Sequence, residues 1–169
     1  MRKKLHAAAA ATLLVLAAFT PNSRSNTNGS RAACTGSLSG AITGTYTCTP
    51  VTAVWAKANN VGALTINTSG GPALTIGIGF TGTPTVRTYT NADAGALSGV
   101  SVMSSTAVWL ASAGNSPKQG SYSLKLSSVG AAVPSTRGNA YPVHGTLTAI
   151  LAPVAGSTAK GNATVSITF

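Results

Sequence analysis

Acidic residues are almost absent from this 169-residue chain. It contains one acid, Asp93, and no glutamate. A single carboxylate cannot form the acid–base pair on which most glycoside hydrolases depend. It also cannot supply the several oxygen anions of an ordinary calcium site. Both classes of function are therefore excluded.

Other reactive groups are equally scarce. His144 is the only histidine after His6, so a zinc site lacks ligands. No phosphate-binding loop, dinucleotide-binding glycine motif or GxSxG elbow occurs. Asp93, His144 and a serine could form a triad, but nothing selects one of the many serines. We expect Asp93 to cap a turn at 91–95 and His144 to start a strand. The sequence thus predicts a non-enzymatic protein without a metal or small-molecule cofactor.

Aromatic residues make up only 5 % of the chain. Because sugar faces stack on aromatic rings, the candidates for ligand binding are Tyr89, Tyr141, Trp55 and Trp109. Both tryptophans lie in an apolar TAVW segment, which favours packing in the core. The two tyrosines lie near predicted loops, so we expect them to be the more exposed pair.

The formal charge of +10 is divided between the first 33 residues and the remainder. From Cys34 onward the net charge is +5, and Asp93 is accompanied by Lys57, Arg87, Lys118, Lys125, Arg137 and Lys160. Proteins that bind nucleic acid cluster their cations and interleave aromatic residues. These cations are spread singly, so we expect no nucleic-acid partner. Weak attraction to an anionic cell surface is compatible with this charge.

Residues 1–20 have the pattern of a secretory signal peptide. A basic MRKKLH segment precedes an apolar run of 13 residues, which is short for a transmembrane helix. Residues 21–33 are polar and aperiodic, as in a flexible linker. We therefore predict a signal helix, a linker and a single domain at 34–169. Lipid attachment at Cys34 is an alternative, although it would leave Cys48 without a partner.

The two cysteines, Cys34 and Cys48, fit a structural disulfide. In one straight strand they would lie about 46 Å apart, at ~3.3 Å per residue. A disulfide requires Cα atoms about 5.5 Å apart. A turn near 39–41 would set the two cysteines opposite each other. The spacing differs from the CxxC of redox proteins, and export would provide an oxidising setting.

Period-two alternation of apolar and small polar residues recurs through the domain. The clearest case is Leu74, Ile76, Ile78 and Phe80, which alternate with alanine, threonine and glycine. About nine or ten short strands are predicted, with a long loop at 130–141 and no helix beyond the leader. This pattern predicts an all-β fold, an antiparallel β-sandwich of immunoglobulin-like or jelly-roll type.

These observations favour an exported bacterial protein of the cell surface or extracellular space. It would act by adhesion or assembly, with polysaccharide or other cell-surface components as partners. One alternative is a carbohydrate-binding module. Another is a small outer-membrane β-barrel, because the alternation of Val165, Ile167 and Phe169 resembles the terminal strand signal of such barrels. We expect membrane contact only if Cys34 is lipidated or the barrel forms.

Overall fold

Antiparallel β-strands make up the fold. The structure, a computed structural model, describes residues 34–93, 98–113, 120–136 and 138–169. None of the described residues belongs to a helix able to span a bilayer. The strands are β1 (Cys34–Gly40), β2 (Gly44–Cys48), β3 (Thr52–Ala56), β4 (Val61–Ile66), β5 (Thr68–Ser69), β6 (Ala73–Thr81), β7 (Thr88–Thr90), β8 (Gly99–Ser104), β9 (Ala107–Ser112), β10 (Ser121–Val129), β11 (Val133–Ser135), β12 (Gly138–Pro153) and β13 (Ala163–Thr168).

The predicted all-β, antiparallel class is confirmed, but the number of strands was underestimated. Thirteen strands are present in the described residues, against the nine or ten expected. Strands β5, β7 and β11 have only two or three residues each. Segments as short as β5 and β11 do not show a period of two, so the alternation could not reveal these two strands. The predicted signal helix at 1–20 and linker at 21–33 lie outside the described residues.

The 16-residue strand β12 connects two groups of strands. In the first group the order is β5, β2, β1, β13, β12, β10, β7. In the second, β3, β4, β6, β8 and β9 pair in that order. The start of β12 pairs with β3 and its end pairs with β9, so the second group closes into a ring through β12. The middle of β12 pairs with β10 and β13.

The predicted loop at 130–141 was wrong, because this stretch contains β11 and the start of β12. Pro134 and Gly138 signal a break locally, and the chain does turn there. Asn139 and Tyr141 nevertheless face Trp55 and Ala53 of β3. That partner is more than 80 residues away, so no local pattern revealed the pairing.

The predicted cysteine hairpin is confirmed. Cys34 and Cys48 lie directly opposite each other in β1 and β2, form a disulfide and have Cα atoms 5.0 Å apart. The turn between the strands follows Gly40, whose φ of +97° is disfavoured for other residues. Because the sulfur of Cys34 is bonded to Cys48, it is not free to carry a lipid thioether.

Alternate side chains of each long strand enter one continuous core. In β6 the buried residues are Ile76, Ile78 and Phe80, as the sequence predicted. In β10 they are Tyr122 and Leu124, followed by Leu126. The intervening residues of β10 point to solvent and are polar. This separation gives the first group an inward apolar face and an outward polar face.

The disulfide is expected to contribute about 3 kcal/mol to the free energy of unfolding, because it closes a loop of this size in the unfolded chain. Cys48→Ser should therefore lower the melting temperature by about as much as reduction of the wild type does. Thermal unfolding followed by circular dichroism, with and without reductant, measures both effects. The Cys34→Ser/Cys48→Ser double variant is the control and should not respond to reductant. An equal melting temperature for all forms would contradict a stabilising bridge.

Candidate functional site

The four aromatic candidates occupy different environments. Tyr89 was expected to be exposed, and this expectation was wrong, since only 1 % of its surface is accessible. Strand β7 pairs with β10 and turns the Tyr89 ring inward against Phe80, with ring centroids 5.1 Å apart. The Tyr89 hydroxyl accepts a hydrogen bond from the Thr85 amide (2.9 Å) and donates one to the Thr85 carbonyl (3.3 Å). Tyr89 is therefore a core residue and not a ligand platform.

Trp109 is also a core residue. It is 5 % exposed, and its indole Nε1 donates a hydrogen bond to the carbonyl of Gly161 at 3.0 Å. A buried indole needs such a partner, because an unpaired N–H in the core costs free energy. Trp109 therefore lies in the core, as its apolar TAVW segment predicted.

Trp55 and Tyr141 are half-buried and lie on neighbouring strands at one end of the fold. Tyr141 faces Ala53 and Asn139 faces Trp55, so the two rings occupy diagonal positions on the same face of β12 and β3. The Trp55 Nε1 donates to Oδ1 of Asn60 at 3.2 Å, which orients the indole. We call Trp55, Tyr141 and Asn60 the aromatic corner.

Phe80 packs over Gly62, the residue that pairs with Trp55 of the aromatic corner. Gly62 lies opposite Trp55 on one side and opposite Phe80 on the other. The Phe80 ring covers Gly62 so closely that any Cβ at that position would overlap it. Glycine is thus required there for the ring to lie flat against the backbone. Trp55, on the strand beside Gly62, is half-buried, so part of its indole is accessible.

A second candidate surface was not identified from the sequence. The outward positions of the first group align into three rows that cross the strands, and we call this surface the hydroxyl face. Every residue in the rows is serine or threonine except Lys125 and Ile150. In strand order, the rows contain Ser69, Thr47, Thr35, Thr168, Thr146, Lys125 and Thr88; then Thr45, Ser37, Ser166, Thr148, Ser123 and Thr90; then Ser39, Thr164, Ile150 and Ser121.

Most hydroxyls on the hydroxyl face have no side-chain partner within the described part of the chain. Thr47 and Ser69 share a hydrogen bond at 2.8 Å, and the Thr90 hydroxyl donates to Asp93 at 2.9 Å. The remaining row residues are exposed, apart from the intermediate Thr164. A hydroxyl both donates and accepts hydrogen bonds. The hydroxyl face is therefore able to form hydrogen bonds with the hydroxyl groups of a ligand.

The single acid is used structurally. Asp93 accepts hydrogen bonds from the backbone and hydroxyl of Thr90, each at 2.9 Å, and lies 3.7 Å from Arg87. The backbone bond from Thr90, its hydroxyl and Arg87 hold the pKa of Asp93 below its ordinary value. Arg87 also covers the Tyr89 ring, with 4.2 Å from its guanidinium carbon to the ring centroid. Asp93 thus caps the backbone amide of Thr90, whereas residues 94 and 95 of the predicted turn lie outside the described residues.

His144 differs from its predicted position. It lies exposed in the interior of β12, opposite Ser128, and not at the start of a strand. The described residues contain no cluster of His, Cys, Asp or Glu that could hold a metal ion. No protein-family model, no curated protein and no solved structure matches this chain.

Two buried tyrosines have contrasting hydroxyl environments. Tyr46 donates to the carbonyl of Pro72 at 2.9 Å, whereas the Tyr122 hydroxyl has no hydrogen-bond partner among the described residues. Ser98 lies near Tyr122, but its own hydroxyl binds the amide and carbonyl of Gly79 at 2.7 Å and 3.0 Å. Burial raises the pKa of both phenols, and nearby Ser98 partly offsets the rise at Tyr122.

This contrast predicts opposite effects for the same substitution. Tyr46→Phe should lower the free energy of unfolding by about 1 kcal/mol, because it leaves the Pro72 carbonyl without its donor. Tyr122→Phe should leave the stability unchanged or raise it, since it removes a buried polar atom that has no partner in the described part of the chain. Urea denaturation of the two variants and the wild type at neutral pH gives the comparison. A larger loss at Tyr122 than at Tyr46 would show that the Tyr122 hydroxyl has a partner in solution.

Proposed function

We propose that this protein is an exported, non-enzymatic protein of the bacterial cell surface or extracellular space, and that it acts by adhesion or assembly. The observation that carries the proposal is the hydroxyl face. It presents rows of exposed serine and threonine across seven strands, with one cation and no acid. A surface of this kind is suited to a broad contact and not to chemistry at one point.

The short strands at the edges of the fold favour contact with a partner through the face of the sheet and not through a strand edge. Within the described strands, β5, β7 and β11 are those with a single neighbour, and they are also the three shortest. Proteins that bind an extended peptide by strand addition need a longer free edge. Short edge strands instead restrict pairing with other chains. Adhesion through an added strand is therefore the weaker route for this fold.

Export is supported by the disulfide and by the leader pattern of residues 1–20. The Cys34–Cys48 bridge is compatible with an oxidising environment such as the outside of the cell. The non-enzymatic part of the proposal is supported by Asp93. This one acid is exposed and bound to Thr90 and Arg87, and its contacts within the described residues do not include His144.

We also propose that the antiparallel strands form a β-sandwich. The two strand groups share a core in which Phe80 of β6 packs against Tyr89 of β7. Contact between strands of different groups is typical of two sheets packed face to face. We propose a sandwich in which β12 belongs to both layers, which favours neither the immunoglobulin-like nor the jelly-roll order.

A carbohydrate-binding module is the second candidate, and the aromatic corner favours it. Trp55 is half-exposed, oriented by Asn60 and adjacent to Tyr141. An outer-membrane protein has less support. It requires an outward apolar band, whereas the outward rows of the first group consist of serine and threonine.

The proposed location and role are tested with the full-length chain expressed in a bacterial host. The mature protein should be found outside the cytoplasm, oxidised at Cys34 and Cys48, and retained on cells or their matrix after washing. Fractionation followed by immunoblotting under non-reducing conditions measures all three properties. A chain that stays in the cytoplasm, or that leaves the cells without binding them, would contradict the proposal.

The second candidate is tested by tryptophan fluorescence. The protein has two tryptophans, of which Trp109 is buried, so Trp109→Phe isolates the signal of Trp55. If a sugar stacks on the aromatic corner, the Trp55 emission should shift when a binding polysaccharide is added. Trp55→Phe is the matched control and should give no response. Unchanged Trp55 emission with every polysaccharide that binds the protein would remove the corner as the site.

A further inference from the structure

We propose that the hydroxyl face binds a neutral polysaccharide in an extended conformation, with the chain lying across the strands along the rows. This inference rests on the proposed function in surface contact, and it assigns that function a site and a class of ligand. The site differs from the aromatic corner in position and in chemistry.

Charge selects a neutral ligand. The three rows contain one cation, Lys125, and no acid, although the chain from Cys34 onward carries a net charge of +5. An anionic polymer is held by clusters of Lys and Arg, and a cationic one by carboxylates. Neither group is concentrated on this face. Hydroxyls that donate and accept equally are matched to a polymer that has hydroxyls of its own.

The spacing between strands indicates the direction in which the polysaccharide would run. Neighbouring strands lie about 4.8 Å apart, and outward residues of one strand recur about every 6.7 Å. The shorter repeat, across the strands, is close to the length of one pyranose ring in an extended chain. A polysaccharide along the middle row would therefore place about one sugar over each strand. That row includes Ser37, Ser166, Thr148 and Ser123 on four consecutive strands.

The twist of the sheet favours a single flexible polysaccharide chain over the flat face of a crystalline polysaccharide. Adjacent strands of a sheet rotate by about 20–25° relative to each other. A rigid crystalline surface could meet only a few strands before the face turned away from it. A separate chain can follow the twist across the whole row.

Threonine supplies two kinds of contact to such a chain. Its hydroxyl can exchange hydrogen bonds with sugar hydroxyls, and its methyl group can pack against sugar C–H groups. Thr146 and Thr148 of β12, beside Thr168 of β13, place both groups at the centre of the face. A protein partner fits less well, because interface cores are enriched in aromatic and large apolar residues. The rows offer only Ile150 of that kind.

The test is affinity electrophoresis, which measures how far the folded, oxidised protein is retarded in gels that each contain one polysaccharide. The probes are a linear β-glucan, a galactomannan and a dextran, all neutral, with alginate as the anionic comparison. We expect retardation by at least one neutral polymer, and we expect the same retardation when salt is added. Retardation by alginate alone that disappears in salt would overturn the inference, as would no retardation by any probe.

Thr148→Lys and Ser123→Lys place a strongly hydrated cation in the middle row and should each weaken binding about tenfold. Thr75→Lys is the matched control, because Thr75 is an exposed threonine of β6 outside the rows, and it should bind like the wild type. Circular dichroism and melting temperature verify that each variant is folded. Wild-type affinity in both row variants would overturn the inference.

The outcomes separate this inference from the broader proposal. If Trp55→Ala abolishes binding while the row variants retain it, the site is the aromatic corner and the hydroxyl face is excluded. If the protein is retained on cells but binds no neutral polysaccharide, the proposed role in surface contact stands and the inference fails. If the row variants lose polysaccharide binding but the protein is not retained on cells, the inference stands and the proposed role fails.

Discussion

Backbone hydrogen bonding along β12 is the constraint on which the rest of the structure depends. Its 16 residues pair with five other strands, two of them near its start, two through its middle and one at its end. Every peptide group of a buried strand needs a partner, because an unpaired one costs free energy. Satisfying this requirement brings the two strand groups together and closes the second into a ring.

The chemistry of the side chains follows from that arrangement. Alternate residues of β12, such as Leu147, Ala149 and Leu151, are buried, and those between them point outward. The outward residues are small and carry hydroxyls, so neighbouring strands can align them without steric or electrostatic conflict. The same closure pairs most strand edges, so among the described strands only three very short ones have a single neighbour. Exposed faces are consequently the main surfaces available for binding.

Part of the site was accessible to sequence reasoning. The cysteine hairpin followed from the spacing of the two cysteines. The apolar TAVW context predicted a core position for both tryptophans, which holds for Trp109 but not for the half-buried Trp55. The exposure of Tyr89 was misjudged, because its inward orientation depends on the pairing of β7 with β10. The strand at 138–142 was missed for the same reason, since its partner β3 is distant in the chain. The hydroxyl face was missed because its residues come from seven strands whose order cannot be read from the sequence.

The sequence by itself determined the class of fold, the disulfide and which side chains alternate along each strand. These properties are local, since they depend on a period of two and on the distance that a disulfide can bridge. Only the tertiary structure decided which strands are neighbours, and therefore that Ser37, Ser166, Thr148 and Ser123 lie in one row. Apart from proline, every residue carries the same backbone amide and carbonyl, so strand order is selected by packing of the whole core and leaves no local pattern.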